Sequence, residues 1–245
     1  LLGGVMLHFL EPGPAGGEPA GGGAGFRAIF LTAMACRLVS AWMLAAAPEP
    51  RFQRLSAGPH ALRFLRTERG TSAWRLILLI ACLQYAVWVA SPYFGPHMLT
   101  NLSFSYLEYT LAYVCIVVLK VLFLPVWGRA IDLHGARSVG SLAVVCLALV
   151  PLPWLWAKGL GWVMIAQGCS GTSWAGFELC QFALMLESSY KRTRAHVFAA
   201  LAIGNGLAQL LGTLTGAALL ALTDGAMRTL FAASLVGRLT VALGF

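Results

Sequence analysis

The chain alternates long apolar runs with short polar connections. Seven runs are long enough to cross a bilayer as helices, near 26–46, 74–92, 105–127, 138–157, 160–186, 196–222 and 228–245. A helical span needs about 20 mostly apolar residues. Residues 1–10 read as the tail of an eighth span. The pattern predicts an all-α, polytopic integral membrane protein, because a helix satisfies its own backbone hydrogen bonds in lipid.

Composition strengthens this reading. Hydrophobic residues make up 59% of the 245-residue chain and charged residues 11%. Soluble domains carry about a quarter charged residues and could not cover their surface with so few. The net charge is +8, but the basic residues fall in connections between apolar runs. That distribution reports topology rather than a nucleic-acid surface, and no nucleic acid is expected as a partner. Six cysteines (Cys36, Cys82, Cys115, Cys146, Cys169 and Cys180) lie inside apolar runs without a CxxC pair. They are expected to be buried small residues, with no disulfide and no metal. No GxxxxGKS, HExxH or GxSxG motif occurs, and the five histidines are scattered. Neither an enzyme nor a cofactor is expected. The chain starts without methionine and ends in an apolar run, so both ends read as cut.

Lysine and arginine set the orientation. Residues 47–75 hold Arg51, Arg54, Arg63, Arg66, Arg69 and Arg75. Two alternate connections on the same side add Arg129 and Arg137, then Lys191, Arg192 and Arg194. The other side holds Arg27, Lys158 and Arg228. Segments 48–73, 128–137 and 187–195 are therefore expected to be cytoplasmic, in a plasma or inner membrane. The basic stretch 48–73 divides the chain into residues 1–47 before it and a bundle of six spans, 74–245, after it. Part of the stretch, after Pro59, reads equally well as a surface-lying helix or a disordered linker.

The second connection of the six-span unit reads "GRAIDLHGAR" and fits G-x-x-x-D-x-x-G-x-R through Gly128, Asp132, Gly135 and Arg137. Its place, after the second span on the basic side, resembles the cytoplasmic signature loop of the major facilitator superfamily of transporters. The resemblance implies that 74–245 are helices seven to twelve of such a protein. Residues 26–46 would be helix six, 1–10 the end of helix five, and the remaining N-terminal half would be a missing partner. It also implies secondary transport of a small solute by alternating access, with Asp132 bracing one state and Arg129 and Arg137 beside it. Gly128 is expected to end the eighth helix and Gly135 to turn the chain. Pro125 is expected to kink that helix just before the motif.

Polar residues inside spans are costly and usually face the bundle interior. In the fourth span of the six-span unit, 160–186, Gln167, Gly171, Trp174, Glu178 and Gln181 recur at helical spacing on one face. Burial favours the neutral, protonated carboxyl unless a cation pairs with it. Glu178 is thus a candidate for proton coupling, with Arg37 as a candidate partner. Asn205, Gln209, Gly212 and Gly216 share a face of the next span. The two glycines suit a packing seam there. Gln84, Trp88 and Ser91 share a face of the span at 74–92. The expected substrate and proton pathway is Gln167, Trp174, Glu178, Gln181, Asn205, Gln209, Gln84 and Trp88. Lys120 is expected to snorkel to the headgroups and Glu108 to reach water. The rival readings are a membrane enzyme acting on lipid-like substrates and a non-transporting scaffold or sensor.

Overall fold

The computed structural model describes residues 24–47, 72–190 and 193–245. Among them are seven helices longer than three turns and no strand. They are α1 (Ala24–Ala46), α2 (Ser72–Trp88), α3 (Tyr106–His134), α4 (Ala136–Leu149), α5 (Leu160–Glu187), α6 (Arg194–Leu222) and α7 (Met227–Ala242). These follow the apolar runs read from the sequence. Residues 1–10 and nearly all of the stretch 48–73 lie outside the described residues. Among the described residues, five candidate spans are long and apolar enough to cross a membrane: α1, α2 with the turns after it, α3, α4 with its own trailing turn, and α6.

Short helical turns finish two of the spans. Beyond α2 the chain passes through Ser91–Tyr93, Phe94–Pro96 and a π turn at His97–Asn101. Beyond α4 a 3₁₀ turn covers Pro153–Trp156. Helix α3 opens on a capping box: Ser105 Oγ accepts from the Glu108 backbone N–H, and the Ser105 backbone N–H donates to the Glu108 carboxylate at 2.8 Å. Two of the helix's orphan donors are thereby satisfied. Glu108, partly exposed at the start of the helix, caps it.

Helix α3 also runs past the expected stop. Gly128 lies inside it, and the break comes at Gly135, with φ +80° and ψ 151°. That left-handed φ suits glycine, which has no Cβ to clash. Pro125 is accommodated within the continuous helix. Asp132 consequently sits in the last turn of α3 instead of in a loop.

Two tight helix pairs organise the bundle: α3 with α5, and α2 with α6. Glycines permit the closeness. A Cβ on Gly171 of α5 would collide with the Ile116 carbonyl of α3, and one on Gly176 would meet the Trp127 ring at 2.6 Å. On α6, a Cβ at Gly212 would lie 2.5 Å from the Tyr85 carbonyl, and Gly216 abuts the Val89 carbonyl. Gly212 and Gly216 therefore form the seam their spacing predicted. Helices α4 and α7 pack on this frame, α4 on α5 and α7 on both α2 and α4. One apolar cluster includes Ile80, Leu83, Val144, Leu147 and Met185; another gathers Met98, Trp154, Leu230 and Phe231.

Large apolar side chains remain outward. On α3 these include Val117, Val121, Leu122 and Val126, and on α6 Leu207, Leu210, Leu211 and Leu214. The described side chains of α1 from Phe30 onward are all exposed. Surface of this kind fits lipid or a packed partner, not water. The cysteines follow suit and correct the expectation of burial: Cys180 is buried, but Cys36, Cys82 and Cys169 are exposed, on surface that lipid can cover.

Candidate functional site

Helix α5 carries the polar strip, and its neighbours decide what each residue meets. Gln167 and Trp174 line a cavity of about 160 Å³ together with Ser91, Tyr113, Ser170 and Arg238. Phe94, Ile116 and Val150 complete an apolar lining. Gln167 is only 3% exposed, and its amide has no hydrogen-bond partner among the described residues. The cavity lies between α2, α3, α4, α5 and α7, toward the end opposite Gly135.

One turn further along α5, Glu178 meets Lys120 of α3. Lys120 Nζ lies 2.6 Å from one carboxylate oxygen and 2.7 Å from the other. The side chains are 31% and 48% exposed respectively, on the open face of the α3–α5 pair. Two expectations change. Lys120 is held by a carboxylate rather than snorkelling, and Glu178 is paired across the helix seam rather than with Arg37 on exposed α1. The close approach of α3 and α5 explains this, because it brings a short carboxylate within reach of a long amine.

Arg238 is the residue sequence reasoning passed over. It lies on α7, 1% exposed. Its Nε donates to Ser234 Oγ at 3.0 Å, Nη1 to the Leu147 carbonyl at 3.2 Å and Nη2 to the Val87 carbonyl at 3.3 Å. Ser234 in turn donates to the Ala86 carbonyl at 2.7 Å. Val87 and Leu147 lie in the last turns of α2 and α4. A helix C-terminus holds about half a negative charge, so two of them partly offset the guanidinium. Placing Arg238 within a span was possible from sequence; backbone carbonyl partners leave no sequence signal.

The remaining predicted pathway residues do not join the cavity. Gln84, Gln181 and Asn205 each keep a buried amide oxygen without a hydrogen-bond partner among the described residues. They sit on α2, α5 and α6. Trp88 packs against the apolar core beside Gly212, and Gln209 is half-buried on α6.

At the Gly135 end, a wider pocket of about 520 Å³ is lined by Arg75, Arg137, Glu187, Ser72 and Ser188 over an apolar floor. Arg129, Asp132 and Arg137 are exposed, and Asp132 forms no ion pair among the described residues. The signature residues therefore present their charges at one end of the bundle, with no internal lock between Asp132 and either arginine.

A helical bundle with several membrane-length apolar helices and glycine seams fits an integral membrane protein. Residues 76–245 match the family model of the Major Facilitator Superfamily. The chain belongs to that family, whose members are typically transporters rather than enzymes. The match is consistent with a C-terminal half and agrees with the resemblance carried by the "GRAIDLHGAR" motif. No curated protein and no solved structure matches the chain significantly.

Proposed function

We propose that the chain is part of a secondary active transporter that moves a small solute by alternating access and couples that movement to protons through Glu178. The ion pair between Lys120 and Glu178 carries this reading. A carboxylate held by an amine can accept a proton only by weakening that pair. Protonation would therefore free Lys120 and loosen α3 from α5 at the same moment. That coupling of charge to helix packing is what a proton-driven conformational cycle requires. The partner half, in this reading, covers the open face on which the pair sits.

The Gly135 end is cytoplasmic in this reading, supported by Arg75, Arg129, Arg137 and Arg194 there and by the basic segments beyond the described residues. Asp132 would brace that end against the partner half. Gln84, Gln181 and Asn205, with their unpartnered oxygens, would line the solute path along with Gln167, Trp174, Trp88 and Gln209. No observation favours a lipid-modifying enzyme or a static scaffold over transport.

The test uses the protein reconstituted in liposomes under an imposed pH gradient, with a panel of small solutes and an internal pH dye. Proton entry should accompany uptake of at least one solute. Glu178→Gln should abolish the pH dependence while leaving the protein folded. Uptake that responds to the gradient as before would show that Glu178 is not the coupling group.

A further inference from the structure

The cavity beside Arg238 has an unbalanced chemistry. A guanidinium keeps its charge in proteins and carries five N–H donors. Three donors of Arg238 are engaged, all with neutral oxygens. No carboxylate contributes to the cavity wall. The polar groups that do contribute are the Gln167 amide and the Ser170, Ser91 and Tyr113 hydroxyls, every one able to donate. Gln167 and Ser170 are both buried, and neither side chain has a hydrogen-bond partner among the described residues. A buried cation with spare donors, beside neutral groups that can each donate and no carboxylate, is matched by a negative charge.

We propose that this cavity binds a small monovalent anion, a halide or the carboxylate of a short organic acid, on Arg238, with Gln167 and Ser170 as neutral donors. The volume sets the size. At about 30 Å³ for each water, a cavity of about 160 Å³ has room for roughly five waters, enough for a halide or a short organic acid. Phe94, Ile116 and Val150 would accept a short aliphatic tail, and Trp174 forms an aromatic wall. The inference names a ligand class for the transport pathway. It rests on the transport reading for the anion's role as cargo, but not for its binding.

The site's position adds a consequence. Ile116 and Trp174 line the cavity, and Lys120 and Glu178 follow each by four residues. One helical turn, about 6 Å of rise, separates the anion site from the ion pair. The anion site and the Lys120–Glu178 pair are thus neighbours along the same pair of helices.

Binding is measured on the complete chain in nanodiscs with radiolabelled chloride and radiolabelled acetate in separate titrations. Saturable binding of either supports the site, and the pair of titrations tells halide from carboxylate. Arg238→Gln should weaken binding by about tenfold or more, the loss expected for a charged hydrogen-bond donor. That variant also removes a tie among three helices, so Gln167→Leu and Ser170→Ala are measured beside it. Both keep Arg238 and should weaken binding several-fold with unchanged thermal unfolding. Absence of saturable binding of either anion to the folded wild-type chain would overturn the proposal, as would affinities untouched by all three variants. Anion binding without solute flux by the chain joined to its partner half would instead remove the transport reading and leave the site standing. Flux without anion binding would do the reverse.

Discussion

Lys120 Nζ and Glu178 Oε2 lie 2.6 Å apart across the seam between α3 and α5. The same seam brings Gly171 under the Ile116 carbonyl and Gly176 under the Trp127 ring. A charge pair and a close backbone contact thus share one interface, and whatever changes one must be felt by the other.

The first prediction concerns that pair. Lys120→Met or Glu178→Gln alone leaves one charge unmatched on a largely apolar helix face and should destabilise the bundle. The double variant should recover part of the loss. A double-mutant cycle in a denaturant titration should return a coupling of about 1 kcal/mol or more, above the usual value for a solvent-exposed pair. Additive losses would mean the two groups act independently.

Glycines at and away from the seams should behave oppositely. Gly171→Ala forces the added methyl into the Ile116 carbonyl, so α3 and α5 must separate, at about 1–3 kcal/mol. Gly206 on α6 has open space around its would-be Cβ. There Gly206→Ala should stabilise by up to about 1 kcal/mol through helix propensity. Thermal unfolding of the two variants side by side checks the signs.

Ser105→Ala removes the hydroxyl that accepts the Glu108 backbone N–H and bonds its carboxylate. The first turn of α3 should loosen at a cost of about 1 kcal/mol. Hydrogen exchange at Glu108 should rise while exchange in the middle of α3 stays slow.

Gly135→Ala places a Cβ on a residue with φ +80° and nothing around it within 4 Å. The penalty is conformational rather than steric crowding, about 1–3 kcal/mol. Gly159→Ala, at the opposite end with extended backbone, should cost far less. If both cost the same, the turn at Gly135 does not depend on its left-handed backbone.

The spans were legible because a bilayer imposes length and apolarity on every segment that crosses it. Helix breaks were harder. Gly128 reads as a stop, but a helix fixed by neighbours on its flank tolerates glycine, and the stop falls where φ turns positive, at Gly135. The capping box of Ser105 and Glu108 was not read from the sequence, although its S-x-x-E spacing carries it. Within the site, helical spacing placed Gln167, Trp174 and Glu178 on a shared strip, and the structure puts the first two in the cavity and the third one turn on. Spacing on one helix says nothing of its neighbours. Lys120, 58 residues before Glu178, was thus assigned to the headgroups, and Arg238, placed within a span, was given no role.

Arg238 also has a timing. Its guanidinium ties the last turns of α2 and α4, which leave the ribosome well before α7 does. Chains fold from the N-terminal side as they are made. Until residue 238 arrives, the Val87 and Leu147 carbonyls lack the Arg238 donors that tie the ends of α2 and α4. A helix made after α2 and α4 is therefore the one that ties their ends, and a nascent chain halted before α7 would hold them in the membrane without that tie.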